Sequence, residues 1–185
     1  LVSELKFKHS SSSASSILER QVTKLREEHK SLIDLLTSFM NTASINEDLF
    51  NKSKNLILSI LDSSSREEVV ETVQKDFKES FNVNNCILEF LNNEEIDALE
   101  KTTEISFHKG AIHCGSFSKQ KMDLLFSDSK VESMAIAVLI SEKEIGLLKL
   151  GSYDRTRYLG DEDTTFIEYI RDVLEKKINS FEVDV

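Results

Sequence analysis

SMAIAVLI (Ser133–Ile140) and GLLKLGS (Gly146–Ser152), with the polar turn Ser141-Glu142-Lys143-Glu144 before the second run, decide the fold of this chain. Both runs are rich in β-branched and aliphatic residues, and a turn of hairpin length between them makes an antiparallel pair the natural reading. Downstream, DEDTTFIEYIRDVLEKKINSF reads as an amphipathic helix with Phe166, Ile167, Ile170, Val173, Leu174 and Ile178 inward. Its acidic start at Asp161-Glu162-Asp163 and its Lys176-Lys177 finish suit the helix dipole. Three consecutive carboxylates also lack the alternating oxygen spacing of a calcium loop.

Upstream of the hairpin the pattern is less regular. CILEFL (Cys86–Leu91) alternates well enough for a strand, and TEISFH (Thr103–His108) is a weaker candidate. Lys109 to Gly115 fits a hairpin return, and SKQKMDLLF (Ser118–Phe126) fits a short helix. Before Cys86, Ser65-Arg66-Glu67-Glu68 has the form of a capping box. The helix it opens sets Val69, Val70, Val73, Phe77 and Phe81 at helical spacing and ends at Val83-Asn84-Asn85.

The N-terminal third carries a different period. Leu18, Val22, Leu25, His29, Leu32, Leu36, Phe39 and Ala43 alternate at spacings of four and three, with charged residues elsewhere. That narrow seam fits a two-stranded parallel coiled coil and marks those positions as a homodimer contact. A polar His29 on the seam sets register. SINEDLFNKSKNLILSILDS continues as helix until Ser63–Ser65. The expected organisation is a flexible polar leader over 1–16, a helical dimerisation arm over 17–62, and an α+β domain over 63–185.

Composition narrows the function. The chain has 185 residues and a net charge of −10, with no proline, so Gly, Asn, Asp and Ser must make the turns. The charge is uneven: net −2 to Asn85 and net −8 from Cys86 onward. Phosphate backbones call for clustered Lys and Arg, so direct nucleic-acid or anionic-membrane binding is not expected. The apolar runs are far short of a span of ~20 residues. Cys86 and Cys114 make neither a disulfide framework nor a four-thiolate metal site, and a reduced, cytoplasmic setting is the expectation. The chain begins at Leu1 rather than methionine, so an upstream segment is also expected.

Only His113-Cys114-Gly115, with His108 nearby, has the residue types for nucleophilic or soft-metal chemistry. Two His and one Cys fall short of a closed zinc set, and free cysteine is commonly a small buried hydrophobe. Asp154 and Arg157 suit an ion pair that fixes their loop, with an anionic ligand as the other use for Arg157. The glycines at 110, 115, 146, 151 and 160 are scattered and form no phosphate-cradling loop.

GLLKLGSYDRTRY followed by an acidic stretch and FIEYI resembles the close of a GAF domain, the small-molecule sensor module. From Ile17 to the last helix the chain is similar to the bacterial GAF-like family known as domain of unknown function 484. The likeness rests on Leu18-Glu19-Arg20-Gln21-Val22 with Leu25-Arg26-Glu27, on Asn46, Glu47, Leu49 and Phe50, and on Asp76-Phe77 and Phe81-Asn82-Val83. It continues through Cys114, Gly115, Met122, Leu125, Phe126, Leu150, Gly151, Ser152, Asp154, Arg157, Tyr158, Thr164 and Phe166. The chain departs from that family before the last helix. Arg155 and Gly160 stand where proline is usual, and Asp161 and Asp163 where glycine is.

The resemblance implies an α+β, GAF-like antiparallel sheet flanked by helices and preceded by a helical dimer arm, with no established reaction; on the residues themselves no cofactor or metal is expected. The expected function is a non-catalytic regulatory or sensory homodimer. The alternative is an interaction scaffold whose GAF-like domain has lost its pocket, and an enzyme using Cys114 is the third reading. A ligand would rest on Met134–Ile140 and Gly146–Leu150, roofed by His108–Phe117 and Ser152–Tyr158. His108, His113, Cys114, Tyr153 and Arg157 would line a cavity of at least roughly 300 Å³.

Overall fold

The computed structural model describes residues 11–108, 110–141, 144–159 and 164–183. The leader up to residue 10, Glu142 and Lys143 of the turn, and the acidic run Asp161–Asp163 lie outside the described residues. Contacts divide the chain into two units, 1–49 and 50–185.

In the first unit the described residues form one helix, the start of α1 (Ser11–Asp62). Ser11 to Ser16, expected in the leader, are its opening turns. Thr23, Thr37 and Thr42 satisfy their hydroxyls on carbonyls four residues back, so these mid-helix threonines cost the ladder little. Every side chain from Ser16 to Asp48 is exposed, among them Leu25 at 63% and Phe39 at 71%.

The second unit begins inside α1 because Leu56 and Ile60 of its last turns are fully buried in this unit's core. It continues with α2 (Arg66–Glu79), β1 (Asn85–Leu91), α3 (Asn93–Thr103), β2 (Ile112–Gly115), α4 (Lys119–Leu125), β3 (Ser133–Ile140), β4 (Ile145–Ser152) and α5 (Thr164–Val183). The four strands form one antiparallel sheet in the order β1-β4-β3-β2. Successive strand residues face opposite sides, and both sides are covered. Cys86, Leu88, Ala135, Ala137, Leu139, Leu148 and Leu150 pack under α2, α5 and the end of α1. Met134, Ile136, Val138 and Leu147 pack under α3, α4 and the residues Ile105, Phe107 and Ala111. Burial on both faces explains why β3 and β4 read as continuous apolar runs rather than alternating ones.

The α2 cap is half of the expected box. Ser65 Oγ accepts from the Glu68 amide at 3.2 Å, but the Glu68 carboxylate takes the Ser64 amide, one residue earlier. α3 has no counterpart in the sequence reading. It carries a full capping box, with Asn92 Oδ1 accepting from the Glu95 amide at 3.0 Å and Glu95 Oε2 from the Asn92 amide at 2.9 Å. The strand expected at Thr103–His108 is absent. Thr103 closes α3, Glu104 turns left-handed at φ 55°, and the next residues are irregular. The alternation there is real, since Ile105 and Phe107 are buried, but the Phe107 amide donates to the Glu100 carboxylate instead of to a strand. β2 accordingly pairs with β3, Cys114 opposite Ala135.

The β3–β4 hairpin is tied at its tip. Glu175 accepts the Ile140 amide at 2.9 Å, and Asn179, one helical turn on, donates to the Ile140 carbonyl at 3.2 Å. The Arg66 guanidinium stacks 3.8 Å from the Phe90 ring centre and pairs with Glu144. Gly146 sits in the tightest spot, where an added Cβ would lie 2.9 Å from Phe90 Cε1 and 3.1 Å from Leu139 Cβ. Gly146→Ala is therefore expected to lower stability by about 1–3 kcal/mol, the usual cost of overpacking. A drop in urea midpoint with an unchanged slope checks it.

Candidate functional site

The residues nominated from sequence lie in separate places. His113 and Cys114 are neighbours on β2, so the strand period puts them on opposite faces of the sheet. His113 stands opposite Ile136 on the α3/α4 side, and Cys114 opposite Ala135 on the α2/α5 side, where it packs against the core. The His113 Nε2 lies 2.7 Å from the Ser106 carbonyl and must donate to it, with the ring edge-on to Phe107. His108 is exposed.

Cys86, Leu150, Ala135 and Cys114 form one row across the whole sheet. Three strand spacings of about 4.8 Å separate the two cysteines, which is beyond disulfide reach. Burial pushes the Cys86 thiol up to about 12. No group of three His, Cys, Asp or Glu side chains that could hold a metal ion occurs among the described residues.

Tyr153 and Arg157 belong to the loop after β4. The Tyr153 hydroxyl donates to Asp128 at 2.6 Å, and this bond holds the Asp128 carboxyl below its usual range. The Tyr153 amide donates to Asn84 Oδ1 at 3.0 Å. Arg157 gives its guanidinium to the carbonyls of Phe81 and Asn82 at 2.7 and 2.6 Å. Those carbonyls lie in the turn just past α2, where Asn82 is left-handed at φ 54° and the Val83 amide reaches back to Phe77. A cation there complements the negative helix end. The expected Asp154–Arg157 pair gives way to this arrangement. Asp154 Oδ1 instead accepts from the amide and hydroxyl of Thr156, both at 2.8 Å, and these two bonds are what chiefly lower its pKa.

The sheet face expected to carry a ligand is occupied by the chain itself. Phe107, Met122, Leu125 and Phe126 are buried against Met134, Ile136, Val138 and Leu147. Lys149, in the same layer, is 5% exposed, with Nζ 2.8 Å from Glu89 Oε1 and 2.9 Å from the Leu125 carbonyl.

A cleft opens instead at the end of the sheet where β2 and β4 leave it and β3 enters. Gly115, at φ 139°, turns the chain out of β2, and Ser116 Oγ then fastens to the Glu132 carbonyl at 2.8 Å. The resulting cavity of about 420 Å³ is lined by Ser116–Lys119, Met122, Ser129, Val131, Glu132 and Arg155. It shares Ser116, Phe117 and Arg155 with the two segments expected as a roof, and none of the five nominated side chains lines it. The missed signal was the polar run Ser116-Phe117-Ser118-Lys119, which follows directly on a turn glycine.

The four-stranded antiparallel sheet, with α5 over one face and α3 and α4 over the other, is a GAF-like fold. A solved structure of a free methionine-R-sulfoxide reductase from Neisseria meningitidis, in complex with its substrate, has the same fold. The likeness has a TM-score of 0.57 at 15% identity and covers 74% of this chain and 92% of that one. The chain belongs to the family of proteins of unknown function DUF484, whose model matches residues 1–183. No curated protein matches it.

The Cys86 thiol is expected to resist iodoacetamide at pH 8 in the folded protein, since a pKa of about 12 leaves almost no thiolate. Its folded pKa is raised, so its contribution to stability is complete below the unfolded thiol pKa and declines as pH rises beyond it. Peptide mapping after alkylation, with and without denaturant, checks the first point.

Proposed function

We propose that this chain is a non-catalytic GAF-like regulatory or sensory protein that works as a homodimer through its N-terminal helix and responds to a small molecule. One observation carries the reading. Leu18, Val22, Leu25, Leu32, Leu36 and Phe39 are all exposed, at coiled-coil spacing, with His29 among them on the same seam. Burying such side chains is worth ~1.5–3 kcal/mol each before entropy is subtracted, and a second copy supplies the matching seam.

The separation of His113 from Cys114 across the sheet supports a role without catalysis. The reductase activity in the structural neighbour's name is not proposed for this chain, because an inert Cys86 and a distant Cys114 offer no working thiol pair. The filled face above Ile136 and Val138 favours a second reading, an interaction scaffold that binds only proteins. No helix among the described residues is long and apolar enough to cross a membrane.

The apolar stripe is uneven. Around Leu18–Leu25 it is flanked by Glu19, Gln21, Arg26 and Glu28, whereas Ile33, Leu35 and Met40 widen it around Leu32–Phe39. Light scattering is expected to give the mass of two chains at micromolar concentration. Leu25→Asp and Leu32→Asp both shift it toward one chain, Leu32→Asp further. A wild-type mass of one chain overturns the dimer. Native mass spectrometry of freshly purified protein separates sensor from scaffold, since a retained small molecule supports the sensor. Duplex DNA at physiological salt is expected to leave fluorescence anisotropy flat, given the net −8 beyond Asn85.

A further inference from the structure

We infer that the cleft at the end of the sheet binds a small organic anion, a phosphate monoester or a carboxylate carried on an apolar body. The inference rests on the sensory reading and names the ligand class for it. The volume of about 420 Å³ lies within the range of small-molecule sites. Three charged side chains line it, Lys119 and Arg155 against Glu132, so the local balance is positive in a domain that is otherwise acidic. Nearby Lys121 is already paired with Glu104 at 3.0 Å. Lys119 and Arg155 bond to no acceptor among the described residues.

Polar groups make up most of the exposed lining, with Ser116, Ser118 and Ser129 beside the charged side chains. Met122 and Val131 lie buried behind it, and half-buried Phe117 is the apolar surface it offers to a ring or short chain. The Ser118 hydroxyl, also in the lining, makes no bond into α4.

The backbone that carries Arg155 is also held in place from both sides. On one side, the Ser133 hydroxyl donates to the Asp154 carbonyl at 2.5 Å, and Tyr153 is bonded to Asp128. On the other, Thr156 is fixed by the Asp154 carboxylate, and Arg157 is anchored on the turn just past α2. The loop backbone is thus fixed before binding, and only the Arg155 side chain has to be ordered by a ligand. The negative field of the domain argues for a compact ligand and against a polyanion.

The test is ¹H–¹⁵N spectroscopy of the full chain titrated to millimolar phenyl phosphate and benzoate, with inorganic phosphate and benzamidine as controls. Saturable shifts are expected at Phe117, Ser118, Lys119, Val131 and Arg155. Lys119→Ala and Arg155→Ala should each weaken binding roughly two- to fivefold, and Glu132→Gln should strengthen it by a similar factor. All three side chains are exposed, so thermal melts should be unchanged. Preference for phenyl phosphate assigns a phosphate ligand, and preference for benzoate a carboxylate. Shifts elsewhere, an unaffected double variant, or equal binding of benzamidine overturns the site. Inorganic phosphate binding as well as phenyl phosphate overturns its organic character. Light scattering on the same samples keeps the readings apart. A two-chain mass without probe binding sinks the cleft alone, and a one-chain mass sinks the dimer alone.

Discussion

The pairing of β3 with β4 is the constraint on which the second unit depends. Eight residue pairs, from Ser133 opposite Ser152 to Ile140 opposite Ile145, run through the middle of the sheet. Nearly every one of those residues is buried, so both faces must be covered. The helices divide accordingly. α2, α5 and the last turns of α1 take one side, and α3, α4 and the residues Ile105, Phe107 and Ala111 take the other. A one-residue slip in this register would exchange the two sets and put Lys149 among the aliphatic side chains beneath α5. In the observed register its ammonium meets the Glu89 carboxylate and the Leu125 carbonyl. Removing either partner of such a pair leaves charge short of compensation, so the pair opposes alternative registers more than it adds stability.

Much of this was legible because it depends on period and local chemistry. The continuous apolar runs of β3 and β4, the 3.6-residue spacing of α5 and the four-three seam of the arm are each written in side chains that face one environment. Reading fails where one pattern has two structural solutions. Ile105 and Phe107 alternate as a strand would, yet their own amides donate to the Thr103 and Glu100 side chains rather than to a ladder. The α3 helix was hidden for the opposite reason. Ile96 is its only fully buried apolar residue, with Leu99 half-buried beside it, so it has a cap signature and too short a stripe to stand out.

The candidate site shows the limit more sharply. Sequence neighbours such as His113 and Cys114 look like a chemical pair, but strand geometry sets consecutive side chains on opposite faces. Arg157 reads in sequence as a ligand contact or a partner for Asp154, and instead ties down the turn after a helix some 75 residues away in the chain. No local pattern encodes that distance. Lys119 and Arg155 share a cleft only because β2 and β4 leave the sheet at the same end, a fact of strand order.

Those misplaced nominations still bear on the cleft. Tyr153 and Arg157 flank Arg155 in sequence, and each spends its polar groups on a different element, Tyr153 on Asn84 and Asp128, Arg157 on the turn just past α2. Between them the Asp154 carboxylate closes a tight turn on Thr156. Loops ordinarily carry mobility, yet here four of five consecutive residues are tied down and the fifth, Arg155, is the one that faces the cavity. The aromatic and the cation that drew attention in the sequence are thus positioning residues for a neighbour that did not. The energetic logic is that of preorganisation. The entropy of fixing the loop backbone is lost on folding, offset by bonds to the turn past α2 and to the α4–β3 connection, and need not be lost again when a ligand arrives.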